Sequence, residues 1–216
     1  SHRHDKPRLS GGPYYNHPRA VAKIISIAWH YHADSSNQLD LQLKQSLGLL
    51  HDALENMFTK QPRSFMHDEG RALITPFSYA HLLDKLGVSK TYAHEAMIDL
   101  GRVTKQPNVV GTGQDYDNYI YRDPWQENAA TAKIADIHHN LELDKKPTVF
   151  DQEKSGKNSA KHIQYREAPF HIRHSLNTDK LDVGLMLGYI GCITNSDLAR
   201  MHDPVLDAFT NKELEI

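Results

Sequence analysis

Cysteine is almost missing from this chain: Cys192 is the single one in 216 residues. A lone thiol excludes an intramolecular disulfide framework and a thiolate zinc site, and it fits a reducing compartment, so a cytoplasmic setting is expected. An excess of either charge is missing as well. With 25 Lys and Arg against 27 Asp and Glu, the net charge is −2. That supplies no global field to draw in nucleic acid, and an anionic ligand has to be held by a local cluster of cations. Long apolar runs are also lacking. The richest, Leu181 to Ile193, is too short to span a bilayer and is interrupted by Gly184, Gly188 and Gly191. No basic stretch followed by an apolar one opens the chain, so neither a membrane partner nor a secretory leader is expected. Alternating strand patterns, internal repeats and low-complexity tracts are absent too, which leaves an all-α reading.

What is present is ordinary for a globular protein, 39% apolar and 24% charged, in a length that suits one domain with a substantial core. Residues 7–18 hold two glycines and three prolines, so they read as a loop that delivers His17 to a helix start, with Pro18 in the first turn. Val21, Ile24, Ile25 and Ala28 then form a helical stripe over 20–32. Asp34-Ser-Ser-Asn breaks it before a second helix, Leu39 to about Phe58. Residues 59–76 are a polar excursion. Helices are expected at 78–86 and 89–101, Gly87 ending the first and Ser89 capping the second. Residues 106–124, with Tyr116, Tyr119 and Tyr121, read as a loop packed on the core. A long helix follows from about Gln126 to Leu143, then a polar loop and a helix from about Ser159 to Glu167 bearing Lys161, His162 and Arg166. From Asn177 apolar patches alternate with glycines, and a last helix is expected from Ser196 to about Phe209.

Fifteen histidines are the conspicuous surplus. Four are followed by aspartate, at His4, His51, His67 and His202, where composition predicts about one such pair. Only the pair at 51 lies in a strongly apolar helical stretch: Leu47, Leu50 and Leu54 bury one face, and His51, Asp52 and Glu55 sit at its edge. A neutral nitrogen beside an anionic oxygen suits a borderline divalent cation such as Mn, Fe, Co or Zn. Glu55, one turn on, stands where an attacking water needs a base. Asp136 is the second oddity, an aspartate set beside an apolar stripe, where a carboxylate asks for a partner. His139 and Asn140, three and four residues on, share its face. The polar positions that need explaining are therefore His17, His51, Asp52 and Asp136, contributed by a loop end and two helices.

Those positions, in that order, resemble the HD-superfamily metal-dependent phosphohydrolases. Ser10-Gly-Gly-Pro-Tyr-Tyr-Asn-His-Pro18 is similar to the opening of RelA/SpoT-type hydrolases, Leu50-His-Asp-Ala-Leu-Glu to their Leu-His-Asp-x-x-Glu-Asp, Val103-Thr-Lys to their Val-Thr-Lys, and Lys133-Ile-Ala-Asp-Ile-His-His-Asn-Leu141 to their Lys-Leu-Ala-Asp-x-x-His-Asn. The length is that of the small alarmone hydrolases. The resemblance implies an HD-domain helical bundle over residues 1–175, with 176–216 as a C-terminal helical extension packed on it. It further implies Mn²⁺ on His17, His51, Asp52 and Asp136, and hydrolytic release of the 3′-pyrophosphate of (p)ppGpp. Glu55 and Asn56 occupy the catalytic pair, and Arg8, Ser10, Asn140 and Lys161 are expected to meet the nucleotide. Three features depart from the pattern. Asn56 stands where the family has Asp, Glu142 and Leu143 where it usually has Arg and Thr, and Leu9 where many relatives carry Lys. The alternatives are accordingly an HD hydrolase of another nucleotide or a catalytically weak nucleotide-binding relative.

Overall fold

A computed structural model of the chain describes residues 16–32, 38–52, 93–103, 119–121, 124–143, 155–176, 181–204 and 206. Among them 85% are helical and none lies in a strand, so the protein is an all-α bundle. One isolated bridge pairs Trp125 with Leu176. No helix among the described residues is long and apolar enough to cross a membrane.

Helix α1 (Asn16–His32) begins four residues before the expected stripe and takes His17 and Pro18 into its first turn. Proline is tolerated there because its missing N–H has no helical partner in any case. Its Val21, Ala22, Ile24, Ile25 and Ala28 are completely buried. Helix α2 (Gln38–Leu50) runs back antiparallel to it. The closest approach is at Gly48, where an added Cβ would lie 2.9 Å from Ile25 Cδ1 and 3.2 Å from the Ala22 backbone. Glycine is needed there for space, and the near contact draws the C-terminal end of α2 onto the N-terminal end of α1.

The second helix was expected to continue to Phe58 and to carry His51 and Asp52 within it; the structure ends α2 at Leu50 and places both residues in the turn that follows. The physical reason is local. His51 Nδ1 donates to the Gly48 carbonyl at 2.7 Å, taking up one of the carbonyls that a helix end leaves without a partner. Lys44, fully buried on α2, ties the bundle together through Asp40 at 2.8 Å and Glu127 at 2.9 Å.

Helix α3 (Ala93–Val103) and helix α4 (Glu127–His138) pack on α2, and α4 also touches α1. Helix α4 is buried along its whole length from Ala129 to His138. Alanines at 129, 130, 132 and 135 let neighbours approach on several sides, so the apolar stripe read from sequence is in fact a central helix. Its polar residues consequently need partners inside the protein. The last turn, His139–Leu143, widens into a π-helical turn. Tyr119 is buried as expected and donates its hydroxyl to the Val103 carbonyl.

Helix α5 (Ser155–His174) is longer than the expected 159–167 and runs through Pro169. Proline removes one helical hydrogen bond, but Ala168 and Ile172 on either side are buried in the core and hold the segment helical. The glycine-punctuated patch after 177 becomes helix α6 (Leu181–Ile190). Val183, Met186, Leu187 and Ile190 recur at helical spacing and are buried, packed on α1 and α4. Helix α7 (Asn195–Arg200) is far shorter than the expected Ser196–Phe209. Met201 leaves it in extended geometry, three residues before Pro204, which disfavours helix in the residue ahead of it. The expected helix at 78–86 and the cap at Ser89 lie outside the described residues.

Candidate metal centre

Three separate pieces of chain meet at one point. The first turn of α1 brings His17, the turn after α2 brings His51 and Asp52, and the end of α4 brings Asp136. His17 is 1% exposed, His51 2% and Asp136 4%, while Asp52 is partly exposed. His17 Nε2 lies 3.1 Å from His51 Nε2 and 3.1 Å from Asp136 Oδ1. His51 Nε2 lies 3.4 Å from Asp136 Oδ1 and 3.3 Å from Asp52 Oδ1, and Asp52 Oδ2 is 3.7 Å from His17 Nε2. Donor atoms sharing one ion at about 2.1 Å stand roughly 3.0–3.4 Å apart, depending on the coordination angle. The spacing of His17, His51 and Asp136 therefore suits a common ion, while Asp52 stands 3.3 Å from His51 and farther, at 3.7 Å, from His17. His17, His51 and Asp136 form a buried group able to hold a metal ion, the one such cluster of His, Cys, Asp and Glu among the described residues.

The outward faces of the rings are fixed so that the inward nitrogens point together. His51 Nδ1 donates to Gly48, which leaves Nε2 as the atom turned inward. His17 Nδ1 faces His139 Nδ1 at 2.9 Å, so one proton lies between those two rings while His17 Nε2 also turns inward. Asp136 is held from two sides. Lys133 Nζ donates to Oδ2 at 2.8 Å, and Asn140 Nδ2 to Oδ1 at 2.6 Å.

The same groups set one another's charge. Burial holds the His17 imidazole below its usual range, and the neighbouring His51 adds to that, against the pull of Asp136 and Asp52. Burial also works against a charged His51, yet the Asp52 and Asp136 carboxylates outweigh it and push this imidazole up to about 10. For Asp136, burial opposes ionisation, but Lys133 first and then the two histidines keep the carboxyl well below its ordinary range. Asp52 is likewise held low against burial, mainly by His51. Without an ion, the two carboxylates are balanced by the His51 imidazolium and by Lys133. The buried group offers two nitrogens and one oxygen, a mixed set that suits a divalent ion.

No protein-family model, curated protein or solved structure matches the chain. The site therefore stands on its own geometry.

All four expected metal ligands are brought together. Asn140, expected to meet substrate, is also a support of Asp136. Lys161 lies on α5 with its side chain outside the described ones, and Arg8, Ser10, Glu55 and Asn56 lie outside the described residues. Of the competing His-Asp pairs, His4-Asp5 and His67-Asp68 also fall outside. His202 is exposed, and Asp203 accepts from Gln45 at 3.2 Å and from the Leu206 backbone at 3.1 Å. Sequence reasoning gave no role to Lys133, although its spacing of three from Asp136 is a helical neighbour signal. It also missed His138, which is bonded to the Ile193 carbonyl at 2.8 Å and ties α4 to the C-terminal segment.

Proposed function

We propose that the chain is a metal-dependent phosphohydrolase that acts on (p)ppGpp in the cytoplasm, with manganese as the resident ion. The observation that supports this reading most is the buried convergence of His17, His51 and Asp136 at spacings suited to one divalent ion, with the partly exposed Asp52 at its edge. Such an ion supplies Lewis acidity when bound, polarising a phosphoryl oxygen and making water acidic near neutral pH. The chain's own residues do the rest. His17 and His51 offer neutral nitrogens, and Asp52 and Asp136 offset part of the ion's charge. Glu55, a few residues beyond the His51-Asp52 turn, accepts the proton of the attacking water. The water oxygen bonds to the phosphorus next to the ribose 3′ oxygen, that phosphorus–oxygen bond breaks, and the 3′ oxygen takes up a proton as pyrophosphate leaves. Asn56 positions the water without taking its proton, since an amide has no basic site for it. Arg8 and Lys161 balance phosphate charge, and Ser10 and Asn140 provide polar contacts to the nucleotide.

A second reading, hydrolysis of a different nucleotide, is favoured by one specific feature. Glu142 is exposed on the π-helical turn beside the site and repels phosphate where a cation would attract it. Turnover of ppGpp and a panel of nucleotides, with and without Mn²⁺, separates these readings. Release of pyrophosphate from ppGpp only when metal is present is the expected result. Cleavage of another nucleotide alone would retain the metal-dependent phosphohydrolase and discard the alarmone, and nucleotide binding without turnover would leave a catalytically weak relative.

A further inference from the structure

The carboxylate of Asp136 is divided between two tasks. Its Oδ1 faces His17 Nε2 at 3.1 Å and His51 Nε2 at 3.4 Å, whereas Oδ2 is occupied by the Lys133 ammonium at 2.8 Å. Lys133 is itself confined. Its side chain is 11% exposed, and its Nζ lies 5.3 Å from the centre of the Tyr119 ring, a distance at which the ring face attracts a cation. That ring is completely buried, and its hydroxyl is anchored on the Val103 carbonyl. An ammonium held between a fixed ring and a carboxylate oxygen one helical turn away has little freedom to withdraw.

A carboxylate coordinates a cation through one oxygen or through both. We infer that Lys133 is a positioning residue that restricts Asp136 to one metal-bound oxygen, so that a coordination position is left for a ligand not supplied by the protein. This inference rests on the proposed metal site and extends it. Two physical effects act together. The lysine engages Oδ2 in a charge-assisted hydrogen bond that chelation would break. It also brings one positive charge to a site whose two aspartates otherwise neutralise a divalent ion, which preserves the electrophilicity that binding a phosphoryl oxygen needs. Asn140 completes the arrangement by bonding Oδ1 at 2.6 Å, fixing the rotation of the carboxylate plane.

The test uses the full chain loaded with Mn²⁺ for crystallography and with Co²⁺ for absorption spectroscopy. In the manganese-loaded parent, Asp136 should reach the ion through Oδ1 alone while Oδ2 stays on Lys133; both oxygens on the ion would overturn the inference. In cobalt-loaded Lys133→Met, the freed Oδ2 should join the ion. The visible absorption should then lose intensity as the coordination number rises, while Lys133→Arg keeps the parent spectrum because a cation still holds Oδ2. A Lys133→Met spectrum identical to the parent overturns the role of Lys133 but leaves the metal site standing. A parent that binds neither ion overturns both. If Lys133→Met does not fold by circular dichroism, the parent crystal structure decides.

Discussion

His51 Nδ1 donates to the carbonyl of Gly48 at 2.7 Å, and Gly48 is also the residue at which α2 touches the backbone of α1. One helical turn therefore sets both the distance between the helices and the direction of an imidazole of the candidate metal site. The link runs from a missing side chain to close packing, and from close packing to the orientation of His51 Nε2.

Gly48→Ala is expected to loosen both. Ile25 Cδ1 at 2.9 Å is the end of a flexible side chain and can turn away, but the Ala22 backbone atoms at 3.2 Å cannot, so the helices must part slightly. Overpacking of this kind costs about 1–3 kcal/mol. Urea unfolding should show that loss, and manganese titration of the folded variant should show weaker binding. Unchanged stability together with unchanged affinity would mean that the close approach has no part in setting the site.

His51→Ala is expected to remove the metal. The parent should hold one equivalent of Mn²⁺ after dialysis by elemental analysis, and the variant none. His202→Ala, which changes an exposed histidine of a competing pair, should keep the full equivalent. Stoichiometric metal in His51→Ala, or anomalous density at His67-Asp68, would move the site elsewhere.

The metal-free protein should become less stable as the solution turns alkaline. His51 is raised from an ordinary 6.5 to about 10 in the folded state. Its imidazolium therefore contributes stability that is fully present below pH 6.5 and is lost as pH rises towards 10. A bound divalent ion takes over the role of that proton. Thermal unfolding between about pH 6.5 and 9.5 should show a falling midpoint after chelation and a flatter profile with Mn²⁺ present. Parallel profiles with and without metal would separate the ion from the His51 charge.

Glu55→Gln should keep the metal and lower ppGpp turnover by ~10²–10⁴-fold, since the amide preserves size while removing the base. Asn56→Asp adds the carboxylate that the related motif has. A faster variant would show that the amide attenuates the enzyme. A slower one would show that a second anion beside Glu55 raises its pKa and impairs it. An unchanged rate in Glu55→Gln would assign the proton to another group.

The residues from which the site is built were legible in the chain itself, because donor chemistry and helical periodicity are local properties. The leucines of α2 and the misplaced aspartate of α4 single out His51, Asp52 and Asp136 without any knowledge of where they lie, whereas His17 joins them through the resemblance of its His-Pro segment. The same periodicity was present at Val183, Met186, Leu187 and Ile190, but the intervening glycines obscured helix α6. Gly184 and Gly188 are not required by close neighbours, so the buried face alone makes that segment a helix. Tertiary structure decided what periodicity does not encode. The burial of α4 on all sides and the meeting of His17 with His139 across 122 residues depend on how helices cross. Lys133 illustrates the difference best. In sequence it is one more surface-type cation on an amphipathic helix. Only when α4 is enclosed does its ammonium lose water, and the nearest carboxylate, Asp136, then becomes its partner.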